Sequence, residues 1–141
     1  MTTISRLDSK FPQLAESFRQ ATISKQRKAA VIACLIAVKR TGLEEGEVGA
    51  AIDILHSEEL VSASLQKRLE SLAAFLDDEY FQLNEAGDES ALGIFSKARA
   101  AAALSAILSG DPRQLHEAVY EAIAAFDDPE EIVKSVENAL H

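Results

Sequence analysis

Apolar side chains recur three and four residues apart along most of this chain, which is the spacing that places them on one face of an α-helix. The segments 115–126 and 132–140 show it most clearly. No stretch alternates apolar and polar residues as a strand does, and six glycines and three prolines are few for a turn-rich β fold. The sequence therefore predicts an all-α protein of about six to seven helices, packed as a compact bundle or a short array of helix pairs.

The second predicted helix runs from about Ser24, as its N-cap, to about Arg40. Its apolar residues cover a wide face, which is typical of a central and largely buried helix. These residues are Val31, Ile32, Leu35, Ile36 and Val38. After it, Thr41 and Glu44 have the three-residue spacing of a capping box, so another helix is expected to begin there.

A longer helix is predicted from Ser57 to about Asn84, with a stripe of leucines that we call the leucine seam. The seam consists of Leu65, Leu69, Leu72, Leu76 and Leu83. Spacing of this kind serves either packing inside a bundle or pairing between two copies of a chain. In a chain this short we favour packing inside the bundle, with homo-oligomerisation through the Leu65–Leu83 seam as the alternative.

Two parts of the chain match each other at an offset of 72 residues. Ser24, Lys25 and Arg27 align with Ser96, Lys97 and Arg99, and each basic group precedes an alanine-rich helix. The match suggests a single helical domain over 1–141 that contains two pseudo-repeated helix trios, 24–84 and 96–140. The polar segment 84–90 would be the hinge between the trios.

Basic residues at a helix start are unexpected, because the positive end of the helix dipole lies there. One interpretation is an anion-binding site at each start, formed by Lys25 with Arg27 and by Lys97 with Arg99. The other is internal pairing with carboxylates, which we favour. It predicts that the amino-terminal basic stretch, through Arg27 and Lys28, packs beside acids of the carboxyl-terminal portion.

The charges are divided unevenly along the chain. Residues 1–42 have a net charge of +6 and residues 43–141 one of −15, within a total of −9. The acidic portion argues against nucleic acid as the main ligand, because its phosphates would be repelled. Around predicted turns the acids form clusters that could attract a basic partner. The candidate partner-binding residues are Glu44, Glu45, Glu47, Glu58, Glu59, Asp77, Asp78, Glu79, Asp127 and Asp128.

Motifs for catalysis, metals or cofactors are absent from the sequence. The chain has three histidines and no HExxH or CxxC motif, and no glycine-rich phosphate loop. His116, Glu117 and Glu121 share one predicted helix, but their spacing matches no known metal motif, so we interpret His116 as a surface histidine. Cys34 lies in an apolar run and is expected to be a buried small side chain. We therefore assign no catalytic residue, metal ligand or cofactor.

These observations favour a non-enzymatic, protein-binding helical domain with an acidic surface for a basic partner. Immunity proteins, small acidic proteins that neutralise toxins, are similar in size and charge, so an immunity-protein-like inhibitor is the most concrete form of this hypothesis. A helical scaffold or homo-oligomerisation domain is the first alternative, and a small-ligand or metal-binding enzyme is the second. A single cysteine and no evident targeting segment predict a cytoplasmic protein without a membrane partner.

Overall fold

A computed structural model of the protein describes residues 5–57 and 62–141, and this part of the chain has eight α-helices, one 3-10 turn and no strand. The helices are α1 Arg6–Lys10, α2 Pro12–Gln20, α3 Ile23–Thr41, α4 Gly46–Leu55, α5 Ala63–Glu85, α6 Ala91–Ile107, α7 Leu115–Ala124 and α8 Glu130–Leu140; the 3-10 turn Pro112–Gln114 precedes α7. The prediction of an all-α fold is confirmed. The number of helices exceeds the predicted six to seven because the structure has an additional short helix, α1, at the amino-terminal end.

The two basic helix segments occupy different positions from those predicted. In α3 the N-cap is Thr22 rather than Ser24, and the Thr22 hydroxyl accepts a hydrogen bond from the Lys25 backbone N–H at 3.2 Å. Helix α6 begins at Ala91, so Lys97 lies in its second turn and not at its start. The second basic group therefore lies away from the free backbone N–H groups that an anion site at a helix start requires.

The connection between α3 and α4 is a loop without the predicted capping box. Thr41 ends α3, and its hydroxyl donates back to the Ala37 carbonyl at 2.8 Å instead of capping the next helix. Gly42 follows with a φ of 71°, a left-handed conformation that glycine adopts without steric cost and that stops the helix. Helix α4 then begins at Gly46, without a side-chain cap.

The long helix α5 begins at Ala63 with Ser62 as its N-cap, later than the predicted start at Ser57. The leucine seam packs within the chain, since Leu65, Leu69 and Leu76 are buried and α5 packs along α6 and against α4. Leu72 and Leu83 are half-buried.

The buried face of α3 differs from the one predicted. Its fully buried stripe consists of small side chains, Ala29, Ala30, Ala33, Cys34 and Ala37. Of the predicted face, Val38 is buried as expected, whereas Val31, Ile32, Leu35 and Ile36 are only half-buried. The reason is the helical spacing, because the alanines and the branched residues occupy adjacent faces and the small face permits the closer approach of neighbouring helices.

Helix α6 lies at the centre of the bundle. It packs against α3, α4, α5 and α7, whereas α3 packs against α6, α7 and α8. The two amino-terminal helices contact each other, with α1 on α7 and α2 on α8. None of the helices in the described ranges combines the length and the hydropathy needed to cross a bilayer.

Contacts between the helices show that α8 runs antiparallel to α3, that α6 runs antiparallel to α5, and that α7 runs back along α6, since Arg99 of α6 binds Glu121 of α7 at 2.6 Å. Arg40 near the end of α3 binds Glu131 at the start of α8 at 2.8 Å, and Lys25 at the start of α3 donates to the His141 carbonyl after α8 at 3.2 Å. The Ser62 N–H at the start of α5 donates to the Leu108 carbonyl after α6 at 3.4 Å. The loops 42–45, 86–90 and 125–129 therefore lie toward one end of the bundle, which we call the acidic end.

Candidate functional site

The acidic end brings together carboxylates that are far apart in the sequence. Loop 42–45 and the first turn of α4 carry Glu44, Glu45 and Glu47, and loop 125–129 carries Asp127 and Asp128. The end of α5 and loop 86–90 supply the remaining acids of this end, Asp78, Glu79, Glu85, Asp88 and Glu89. Residues of a helix lie about 1.5 Å apart along its axis. The end of α5 at Glu85 therefore lies about 12 Å farther along the helix than Asp77, which binds Arg99.

Seven of the ten predicted partner-binding acids form no ion pair with a described cation, and five of the seven are exposed. Glu44, Glu45, Asp78, Asp127 and Asp128 are exposed. Glu47 and Glu79 are half-buried. In the part of the chain that the structure describes, none of these seven forms an ion pair with a lysine, arginine or histidine. Their negative charge is therefore available to a partner.

Three of the predicted acids have a different status. Asp77 is not free, because both of its carboxylate oxygens accept hydrogen bonds from Arg99, at 2.8 and 2.9 Å. Glu58 and Glu59 lie outside the described residues.

Arg99 is the centre of a largely buried ionic network. Besides binding Asp77, it donates to Glu121 at 2.6 Å, and only 6% of the Glu121 side chain is exposed. A second guanidinium, from Arg6, donates to Glu121 at 2.5 Å and also binds Glu117. The hydrogen bond to Glu117, followed by the charge of Glu121, raises the pKa of Arg6 above its usual value. Arg99 is thus held by internal pairing rather than open to an anion.

Sequence reasoning identified Glu117 and Glu121 only as neighbours of His116 and assigned no role to Arg6. The four-residue spacing of the two glutamates does place both on one face of α7, which could have indicated a shared partner. The partners of that face come from α1 and α6, far away in the sequence, so the network could not be assembled from spacing alone.

The other predicted anion-binding residues are more accessible than Arg99. Lys25 and Arg27 are exposed near the start of α3, and Lys97 is half-buried in α6. Neither Arg27 nor Lys28 forms an ion pair with any described acid, so the predicted pairing of these two residues is wrong. The antiparallel packing explains this, because the start of α3 lies beside the end of α8 while Glu130 and Glu131 lie at the start of α8.

A polar cleft of about 590 Å³ opens beside the ionic network, between α5, α6 and α7, with Arg6 at its rim. Its carboxylates are Glu70, Asp111, Glu117 and Glu121, and its other polar side chains include Gln66 and Ser105. Glu70 is exposed and has no ion pair among the described residues. Since Glu117, Glu121 and Asp111 are paired with Arg6, Arg99 and Arg113, Glu70 is the carboxylate of the cleft that remains for a cationic group.

An apolar patch lies on the α5–α6 hairpin beyond the network. Phe81 and Leu92 are 61% and 62% exposed. The Tyr80 ring contacts the rings of both Phe81 and Phe95, with centroids 5.5 and 5.2 Å apart. Exposed apolar groups of this size among carboxylates are typical of a surface that binds another protein.

Cys34 is fully buried, and burial raises the pKa of its thiol to about 12. The thiol is therefore neutral at physiological pH and poorly suited to nucleophilic chemistry. Within residues 5–57 and 62–141, no three histidine, cysteine or acidic side chains are grouped as metal ligands.

Compared with models of protein families, with curated proteins and with solved structures, the chain matches none of them. Its function must therefore be argued from its own surface.

Proposed function

We propose that this chain is a non-enzymatic, protein-binding helical domain whose acidic end engages a basic partner. The observation that carries the proposal is the convergence of the three acid-rich connections at one end of the bundle, with most of their carboxylates unpaired. A surface with one sign of charge accelerates encounter with an oppositely charged protein and disfavours partners of like charge.

The most concrete form of the proposal is an inhibitor of the immunity-protein kind, acting in the cytoplasm on a basic protein. Its support is the small size, the net charge of −9 and a rigid helical framework that presents the acids. Such an inhibitor needs no catalytic group, since it acts by covering a surface of its target.

The alternative of a scaffold or homo-oligomerisation domain has less support, because three of the five seam leucines are already buried within the chain. Light scattering would test it directly, since the alternative requires a stable dimer or larger assembly. For a small-ligand or metal-binding enzyme, native mass spectrometry of the purified protein is the corresponding measurement.

The proposal is tested by affinity capture from native lysate, followed by zero-length coupling of carboxylates to partner amines and mass spectrometry. The expected result is a basic protein cross-linked to residues of the acidic end, with an association rate that falls as salt rises. Cross-links spread evenly over the acids of the chain, or no protein retained in a salt-sensitive manner, would contradict the proposal.

Paired variants make the test specific to position. Glu45→Gln with Asp127→Asn removes two charges from the acidic end, while Asp53→Asn with Glu137→Gln removes two charges elsewhere. Asp128 is left intact, because it accepts the Glu130 N–H at the start of α8. We expect the first pair to slow association several-fold at low salt and the second to have little effect. Equal effects of the two pairs would show that only the net charge matters.

A further inference from the structure

We propose that one face of the α5–α6 hairpin is a docking groove for a basic amphipathic helix of the partner. This inference rests on the proposed function and specifies which surface and which partner chemistry carry it. The groove comprises the polar cleft and the apolar patch described above, with Arg99 between them.

The continuity of the groove follows from helical spacing. On α5, Gln66, Glu70, Ala73, Asp77 and Phe81 succeed one another at steps of three and four residues. On α6 the same steps connect Leu92, Phe95, Arg99, Ala102 and Ser105. Asp77 with Arg99 and the Gln66 amide, which donates to Ser105 at 3.3 Å, join the two stripes, and the Tyr80 ring bridges Phe81 and Phe95 beyond them.

The apolar half of the groove presents side chains that lack cover in the chain itself. Phe81 and Leu92 are more than half exposed, and the Tyr80 ring contacts the rings of Phe81 and Phe95. Burying such groups against apolar side chains removes apolar surface from water, which stabilises a complex. An amphipathic helix supplies apolar side chains at the same three- and four-residue steps.

The polar half determines the charge of the occupant. Glu117, Glu121 and Asp111 of the cleft are paired within the chain, with Arg6, Arg99 and Arg113, so among the described residues Glu70 is the cleft carboxylate without an ion pair. The hairpin also carries Glu85, Asp88 and Glu89 next to its apolar half. A helix with lysine or arginine beside its apolar stripe complements both halves. A second copy of this chain placed on the groove through its own α5–α6 hairpin would instead bring like charges together.

The probe is a synthetic amphipathic helix of leucine and arginine, labelled for fluorescence anisotropy and compared with a scrambled peptide of the same composition. We expect the amphipathic peptide to bind at least tenfold more tightly than the scrambled one. The comparison keeps charge constant, so it isolates the arrangement of apolar and basic groups. Equal affinity of the two peptides would overturn the proposal.

The matched variants use two equally exposed phenylalanines of α5. Phe81→Ser with Leu92→Ser removes the apolar half of the groove, whereas Phe75→Ser removes a phenylalanine that is 65% exposed but lies about 120° around the helix from Phe81. We expect the first variant to lose at least tenfold in affinity and the second to bind like the parent. Because all three residues are exposed, circular dichroism should show that the fold is kept.

The outcomes separate this inference from the proposed function. Loss of peptide affinity with Phe75→Ser equal to that with the double variant would overturn the groove. If Glu45→Gln with Asp127→Asn slows capture of the partner while the Phe81–Leu92 variant captures it normally, the acidic end binds and the groove does not. The reverse pattern would overturn the proposed function and keep the groove. A dimer of the parent that dissociates in the Phe81–Leu92 variant would identify a second copy as the occupant and contradict the proposal.

Discussion

Helices α3 and α6 contain nearly the same basic, alanine-rich segment, yet the arginines of the two segments have opposite environments. In α6, Arg99 is largely buried and binds both Asp77 and Glu121. In α3, the equivalent Arg27 is exposed and binds no described acid. The difference shows that position in the bundle, rather than the local sequence, decides whether an arginine of this motif becomes structural.

The packing around each helix provides the physical reason. Helix α6 is surrounded by α3, α4, α5 and α7, and two of these supply a carboxylate at the level of Arg99. The first turns of α3 lie beside the end of α8, where Lys25 donates to the His141 carbonyl, whereas Glu130 and Glu131 lie at the other end of α8. Since acids favour the first turn of a helix, an antiparallel neighbour presents them to the far end of α3.

The largest difference is expected between Arg99→Gln and Arg27→Gln. Removing Arg99 leaves the buried Glu121 carboxylate with Arg6 as its remaining cation and removes the partner of Asp77, which should lower the free energy of unfolding by about 2–3 kcal/mol. Removing the exposed Arg27 should change it by less than about 0.5 kcal/mol. Urea denaturation of both variants measures the contrast.

The companion variant Arg99→Gln with Glu121→Gln tests the cause. Removing both charges should recover part of the lost stability, because the buried Glu121 carboxylate, which Arg99→Gln alone leaves with one of its two cations, is then absent. Equal destabilisation by Arg27→Gln and Arg99→Gln would show that the two helices are not distinguished as the structure indicates.

The hydrophobic positions should show a second contrast. Ile107 of α6 is 2% exposed, whereas Leu35 of α3, which the sequence repeat makes its equivalent, is half-buried. We expect Ile107→Ala to cost about 3 kcal/mol and Leu35→Ala about half as much, because less apolar surface leaves water at Leu35. Thermal unfolding of the two variants measures the loss of stability. An equal loss for both would support the equivalence of Leu35 and Ile107 that the repeat suggests.

Cys34 tests whether the small-residue stripe of α3 is as closely packed as the core of α6. The buried thiol, with its pKa raised to about 12, should not react with a disulfide reagent at pH 8 until the protein unfolds. Enlarging it by Cys34→Leu should cost about 2 kcal/mol through overpacking, while Cys34→Ala should be milder. Rapid reaction of the native thiol would show that the stripe is open.

The smallest contrast concerns the helix starts. Thr22 caps α3, whereas the Ser90 side chain makes no cap hydrogen bond to α6. Thr22→Ala should therefore cost about 1 kcal/mol and Ser90→Ala less than about 0.5 kcal/mol. Chemical denaturation with closely spaced points resolves the difference, and a larger effect at Ser90 would contradict the assigned caps.

Much of the fold could be predicted from the sequence, because helix formation depends on local spacing. The polar loop 86–90 lies within the segment 84–90 that the sequence marks as a connection, and Asp111, which precedes Pro112, accepts the Arg113 N–H at 2.9 Å as a cap should. The start at Thr41 was wrong for a local reason as well, since its hydroxyl had a competing acceptor in the preceding turn.

The candidate site was predictable only in part. The acids could be identified from the sequence. That their loops share one end of the bundle could not be predicted, because the direction of one helix relative to another does not depend on the sequence of either helix alone. Arg6 and Glu121 show the limit most clearly. They are 115 residues apart in the chain, and only the packing of α1 on α7 brings them to 2.5 Å.

The sequence by itself determined that this chain is helical, where most of its helices lie and that its charge is strongly negative. Periodicity and capping act within a few residues, so these properties need no knowledge of the rest of the fold. Only the tertiary structure decided which arginine is buried, which face of α3 packs inward and which acids meet at one end. Those outcomes depend on antiparallel packing, which joins groups that are distant in the chain and removes some charges from water while leaving others in it.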